Sequence, residues 1–173
     1  MIEELLFQVK KNKRKAQQEF YNKYSRQMFI LTYRYVNNEQ DAGSIVNKGF
    51  FNIFNKLDKF IYINEKALVG WMKKIMINEA LVFIRSKVIY DDIDLNQSDL
   101  FVTTDVPERN LLLEDYYNLI KELPDDLRTV FNMYAIDGFS HKEIADKLEL
   151  RESSSRVYLS RARKILQQSL TKN

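Results

Sequence analysis

The sequence predicts an all-α protein: two small helical domains joined by an acidic, flexible linker, the second ending in a helix-turn-helix. Three observations carry this. Apolar residues recur at three- and four-residue spacing through most of the chain, the period of one helix face. Only 4 Gly and 2 Pro are spread over 173 residues, too little turn material for a many-stranded sheet. Charge also changes sign twice. Residues 1–90 carry 16 Lys/Arg against 8 Asp/Glu, residues 91–126 carry 2 against 11, and residues 127–173 carry 9 against 5. Two basic blocks flank an acidic one, and basic blocks suit a polyanionic partner because screening makes each act locally. Solvated helix faces would give the same pattern.

The first domain, residues 1–87, is built from three amphipathic helices. Over 17–36, Phe20, Tyr24, Met28, Leu31 and Tyr35 form a stripe. Over 40–58, Ala42, Val46, Phe50, Ile53 and Leu57 form another. A break at Asp58-Lys59-Phe60 precedes Ile61-Tyr62-Ile63-Asn64, and a third helix covers 65–87 with Leu68, Trp71, Ile75, Asn78 and Val82 on one stripe. From Val88 the helical period is lost. Residues 88–107 are acidic, rich in Ser, Thr, Asn and Asp, and too long for a connection inside one compact domain.

The second domain, residues 108–173, opens on Pro107 at a helix start, with that helix running to Lys121. Pro124 starts a helix over 124–136, which Asp137-Gly138 ends with the left-handed residue such a terminus prefers. Ser140-His141-Lys142-Glu143 is a capping box, opening a short helix with Ile144, Ala145 and Leu148. A turn at Glu149-Leu150 leads to a final helix over 152–170, with Leu159, Ala162, Ile165 and Leu166 inward and either Val157 or Tyr158 beside them.

The composition, 45% apolar and 29% charged, is that of a globular protein. With no Cys, disulfides and thiolate metal sites are excluded, and the single His141 cannot build a metal site alone. No Gly-rich phosphate loop and no activated nucleophile is recognisable, so neither a cofactor nor an enzymatic role is expected. Asp125-Asp126 sits at a helix start, where the macrodipole accounts for it. No apolar run of about 18 residues exists, and the N-terminus MIEELLFQVKKNKRK lacks a signal-peptide core. A cytoplasmic location is the expectation.

The pair at 140–147 and 152–168 has helix-turn-helix proportions. Its last helix bears Arg156, Arg161, Arg163 and Lys164, with Arg151 just before it. The planar guanidinium matches guanine edges and phosphates bidentately. Ser153, Ser154 and Ser155 open the helix with little bulk, and their hydroxyls can meet phosphates. A generic αα-hairpin with a solvated basic face is the structural alternative.

Residues 140–166, SHKEIADKLELRESSSRVYLSRARKIL, resemble the promoter-reading helix-turn-helix of extracytoplasmic-function (ECF) sigma factors. Glu143-Ile144-Ala145, Arg156, Leu159 and Arg161-Ala162-Arg163 stand at the places of that pattern, and Leu123-Pro124 with Arg128 is similar to the preceding helix. In the first domain, Trp71, Ile75 and Asn78, with Arg85 beyond, resemble the family's minus-ten segment. The resemblance covers residues 17–87 and 108–168. It implies a non-enzymatic transcription initiation factor whose partners are RNA polymerase core, promoter DNA and, where one exists, an anti-sigma factor. It further implies minus-thirty-five contacts through Arg151, Ser153, Ser154, Arg156, Val157, Ser160, Arg161, Arg163 and Lys164, with Arg156, Val157, Ser160 and Arg161 toward base edges. Minus-ten recognition or melting would fall to Phe60, Tyr62, Asn64, Trp71, Asn78 and Arg85. A buried, backbone-tied Asn78 is the structural alternative there.

Polymerase would be met by the 40–58 helix through Asp41, Ile45, Val46, Asn47 and Phe50. The chain departs from the family here: Gly43, Ser44, Asn47 and Lys48 replace two acids, a Gln and a later acid. The expected contact is therefore mainly apolar. Glu149 stands where the turn usually has Gly, and Ser155 where an apolar residue is common. Two other readings fit the residues: a free-standing helix-turn-helix regulator, and a family member with weakened core binding held by an anti-sigma factor.

Overall fold

The computed structural model describes the backbone of residues 1–91 and 117–171, with side chains to residue 87 in the first stretch. The chain divides into two compact units, Met1–Ile89 and Tyr90–Asn173, and every element described is helical.

In the first unit, α1 is Ile2–Lys10, α2 Arg14–Val36, α3 Glu39–Lys56, followed by a 3₁₀ turn Leu57–Lys59, and α4 is Glu65–Asp91. Asn37 stops α2 in the left-handed conformation (φ 51°), and Asn38 caps α3 by accepting from the Asp41 N–H at 3.0 Å. Two adjacent Asn residues thus make the whole α2–α3 turn, since Asn tolerates the left-handed region and its side chain replaces a missing acceptor. The core takes Phe20, Tyr24, Met28, Leu31 and Tyr35 from α2, the stripe read in the sequence. From α3 come Ala42, Ile45, Val46, Phe50 and Ile53, and from α4 Leu68, Met72, Met76, Ile77, Ala80 and Leu81. Gly49 faces Met76 of α4, and a Cβ there would collide with the Met76 side chain. A mid-helix glycine, which costs about 1 kcal/mol in propensity, is explained by that closeness.

Three features differ from the sequence reading. Helix α1 was not expected; Leu6 and Val9 bury it against the rest of the unit, and nine residues hold a helix only through such docking. Helix α4 runs to Asp91, so residues 88–91, assigned to the linker, continue the helix. Its buried side follows Leu68, Met72, Met76 and Ala80, whereas Asn78 and Val82 are exposed and Trp71 is half-buried.

In the second unit, residues 117–121 are helical and are called α5. The start of the helix expected from Pro107, like residues 92–107 of the expected linker, lies outside the described residues. Helix α6 is Asp125–Phe131, with Pro124 as its N-cap, and it passes into a π-helical turn Asn132–Ile136 where a uniform helix was expected. Gly138 (φ 77°) closes this segment, and the Phe139 N–H reaches back to the Met133 carbonyl at 2.9 Å. Then follow α7, His141–Leu148, and α8, Glu152–Leu170. Leu123, Leu127 and Ala162 form a core on which Phe131, Tyr158, Ile165 and Leu166 pack. Tyr158, rather than Val157, thus joins the apolar side.

Candidate nucleic-acid interface

Helix α7 starts on the expected capping box. Ser140 Oγ accepts from the Glu143 N–H at 3.2 Å, while Glu143 Oε2 accepts from the Ser140 N–H at 2.8 Å. It ends on Glu149, which takes φ 56° and donates its N–H to the Ala145 carbonyl. The left-handed turn is therefore made without the usual glycine, at a cost of about 1–2 kcal/mol for a residue with a Cβ. Beyond it, α8 buries Ser155, Leu159 and Ala162 and exposes Ser153, Arg156, Val157, Ser160, Arg161 and Lys164. At about 100° per residue, Val157, Ser160 and Lys164 occupy the middle of the outer face, with Arg156 and Arg161 on its two edges. Small residues at the centre and long cations beside them let the helix enter a groove and hold its walls.

The cations on this face are not equivalent. Arg156 is ion-paired with Glu152 one turn earlier. Arg163 lies farther round, its guanidinium 5.8 Å from the centre of the Tyr134 ring. Arg161 and Lys164 make no ion pair among the described residues, so they are the cations most available to an anionic ligand. Arg151 is the exposed N-cap residue of α8, and Ser154 is half-buried.

Ser155 corrects one expectation. It is fully buried, and its Oγ lies 2.9 Å from His141 Nδ1, so its hydroxyl cannot meet a phosphate. His141 in turn stacks on Tyr134 with ring centres 4.4 Å apart. The chain Tyr134–His141–Ser155 joins the π turn, α7 and α8. Burial lowers the His141 pKa, and the nearby Arg156 adds to this against the opposing Glu152. Burial and the neighbouring guanidinium both disfavour the imidazolium.

In the first unit, residues 60–64 form an exposed loop between the 3₁₀ turn and α4. Phe60 stacks on Trp71 at 4.6 Å, and Asn64 Oδ1 accepts from the Ala67 N–H at 2.8 Å, capping α4. Tyr62 is half-buried. The side chains most open to solvent are Ile61 and Ile63, 82% and 75% exposed. From Trp71 an exposed strip continues down α4 through Lys74, Asn78, Val82 and Arg85. Loop and strip are continuous because the Phe60–Trp71 stack joins them. Asn78 is thus on the surface, not buried. Sequence reasoning passed over Ile61 and Ile63, although two β-branched apolar residues flanking Tyr62 outside any helical period were a visible signal.

On α3 a correction is larger. Ile45, Val46 and Phe50 are each at most 3% exposed, so they pack the unit's own core and cannot present an apolar surface to polymerase. The same spacing that aligns them with the motif places them on the helix's inner face. The outer face holds Ser44, Asn47, Lys48 and Phe51, the last 66% exposed. Asn47 accepts from the Tyr21 hydroxyl at 3.0 Å, Lys48 pairs with Glu79 at 3.2 Å, and Asp41 pairs with Lys87 at 3.6 Å. The lysine at 48 has its own carboxylate partner on α4.

Known proteins match this arrangement. The family model "Sigma-70, region 4" matches residues 113–166. The chain is 24% identical over 181 aligned positions to the RNA polymerase sigma-H factor of Pseudomonas aeruginosa, covering 97% of this chain and 93% of that one. It is 26% identical over 175 positions to the ECF RNA polymerase sigma-E factor of Escherichia coli K12, covering 94% and 90%. Among solved structures, the fold is similar to the sigma factor RpoE from Bartonella quintana, solved with the anti-sigma factor NepR. That match has a TM-score of 0.58 at 20% identity, covering 89% of this chain and 98% of that one.

Proposed function

We propose that the chain is an extracytoplasmic-function sigma factor and that its surfaces divide the work of starting transcription between them. It binds RNA polymerase core and directs promoter-specific, DNA-dependent initiation. The observation that carries this is the outer face of α8, where Arg161 and Lys164 are exposed around the small Val157–Ser160 centre and make no ion pair among the described residues, inside the segment matching sigma-70 region 4. In this reading the second unit reads the minus-thirty-five element, with Arg161, Val157 and Ser160 on base edges. Arg151, Arg163 and Lys164 lie nearer the backbone, and Arg156 joins the base edges once released from Glu152.

The first unit acts on the minus-ten element. Melting needs bases held out of the stack by apolar or aromatic surfaces and polar edges. The 60–64 loop supplies the former, and the Asn78–Arg85 strip supplies polar and cationic groups to the strand. Phe60, Asn64 and Trp71 serve chiefly as the loop's frame. Polymerase meets the outer face of α3, with Phe51 as apolar centre and Asn47 and Asp41 at its side. The chain acts with polymerase in the cytoplasm, without catalytic chemistry of its own. By analogy with the Bartonella quintana complex, an anti-sigma factor is a further partner.

A free-standing regulator would need only the second unit; the similarity of nearly the whole chain to sigma factors argues against it. The deciding experiment is run-off transcription with purified core polymerase on a genomic promoter library. The expected result is chain-dependent transcripts sharing two sequence elements. DNA binding that never produces polymerase-dependent initiation would favour the regulator.

A further inference from the structure

The 60–64 loop is tied at both ends by residues that none of the comparisons assigns. At its far end, Glu65 accepts from the Tyr24 hydroxyl at 2.8 Å and pairs with Lys23 at 3.0 Å, while Asn64 caps α4. At its near end, Phe60 leans on Trp71, and its carbonyl accepts from Lys10 Nζ at 3.0 Å. Lys10 comes from α1, fifty residues earlier in sequence, and brings a side-chain hydrogen bond to the loop's near end. Helix α1 is docked by Leu6 and Val9, so the ammonium is carried on a fixed support.

We propose that Lys10 is a positioning residue for promoter opening: it fixes the Phe60 backbone so that Ile61 and Ile63 are presented to the displaced strand. This rests on the minus-ten role proposed above. A loop with exposed apolar tips gains little from burying a base if it must first be ordered, because ordering each residue costs entropy that binding must repay. An anchor at each end removes most of that cost before DNA arrives. Phe60 is held by its ring stack and by its N–H, which donates to the Leu57 carbonyl at 3.0 Å, but neither contact fixes the direction of its own carbonyl. Lys10 pins that group.

The test uses reconstituted holoenzyme on a promoter carrying 2-aminopurine at successive minus-ten positions, whose fluorescence rises on unstacking. Wild type must first give the fluorescence rise; its failure would defeat the minus-ten reading itself, separately from the role of Lys10. Lys10→Met keeps the apolar stem and removes the donor. It should slow or reduce the rise roughly 5- to 10-fold, the range for an ordinary net hydrogen bond, because the part-buried ammonium is still shared with water. Its affinity for core polymerase and for a duplex probe bearing only the minus-thirty-five element should be unchanged. Lys10→Arg, which retains a donor of similar reach, should recover most of the signal. Equal opening by wild type and Lys10→Met would overturn the proposal. So would a loss of core affinity matching the loss of opening, which would make Lys10 a general support of the unit.

Discussion

Arg128 offers the most direct test of how the second unit is held together. Arg128 is 5% exposed, and its guanidinium donates to at least three acceptors among the described residues at the α5–α6 corner. Nη1 donates to the Leu123 carbonyl at 3.0 Å and the Lys121 carbonyl at 3.3 Å, and Nη2 to Asp125 Oδ1 at 2.6 Å. The two carbonyls belong to a helix end, where the last acceptors have no intrahelical donor. Replacing Arg128 by Met keeps most of the buried stem and deletes all three bonds. A buried carbonyl left without a donor costs about 1–3 kcal/mol. Asp125 is 78% exposed, so its carboxylate regains water and its share is small. The expected loss is then about 3 kcal/mol, and for a unit of this size roughly 10–20 °C in midpoint. Trp71 is the only tryptophan and lies in the first unit, so its fluorescence serves as an internal control. Far-UV circular dichroism should show part of the helical signal melting early, with the tryptophan transition in place. A loss below about 1 kcal/mol would refute the reasoning: it would mean that water replaces the guanidinium and that Leu123, Leu127 and Ala162 hold the corner by packing alone.

Glu149→Gly should stabilise the second unit by roughly 0.5–1 kcal/mol, the left-handed penalty relieved less the entropy cost of glycine; a loss in urea midpoint would show that the Glu149 side chain matters more than its φ. Because burial and Arg156 lower the His141 pKa, the unfolded chain takes up that proton more readily. Stability should therefore fall as pH drops through the ordinary value of 6.5, and the drop relative to His141→Gln in a thermal-melt series should vanish at higher pH. In titrations against a randomised minus-thirty-five element, Arg161→Ala should cost ~1–3 kcal/mol and relax preference at one position. Lys164→Ala should weaken all sequences alike and flatten the salt slope by about one; identical behaviour of the two would make α8 an electrostatic anchor only. Glu152→Gln should free Arg156 and tighten binding to every sequence. Weakening confined to sites with one particular cytosine would instead make Glu152 a base reader.

The second unit was largely legible in the sequence because its punctuation is chemical. Ser140 and Glu143 can satisfy each other's backbone groups only at a helix start, and Gly138 has a φ that few other residues accept. What stayed hidden there depended on contacts between elements. Nothing local shows that Ser155 meets His141 across the turn, or that Asn132–Ile136 widens to a π turn. Helix α1 was missed for a related reason: its apolar Leu6 and Val9 are visible, but nine residues are too few to declare a helix without the surface they dock on. The end of α4 was misplaced because the acidic composition beginning near residue 91 is a statement about solvation, and a helix can continue into it.

The α3 correction has a more general cause. A motif gathers positions fixed for packing together with positions fixed for contact, and spacing alone does not separate them. In a helix the residues at three- and four-residue intervals share a face, so Ile45, Val46 and Phe50 were bound to be co-facial. Whether that face looks inward is decided by where α2 and α4 lie. Once they bury it, a partner must be met by residues between the motif positions. That shifts attention from the apolar residues retained to Asn47 and Lys48, where the family's polar groups are replaced, and to Phe51, an aromatic exposed on the same turn. On α4 the expected stripe splits: Leu68 and Ile75 are buried, Trp71 is half-buried, and Asn78 and Val82 face solvent while Met72, Met76 and Ala80 complete the packing. In both helices the solvent-facing side is the complement of the core, so fixing the core also fixes which residues a partner could meet.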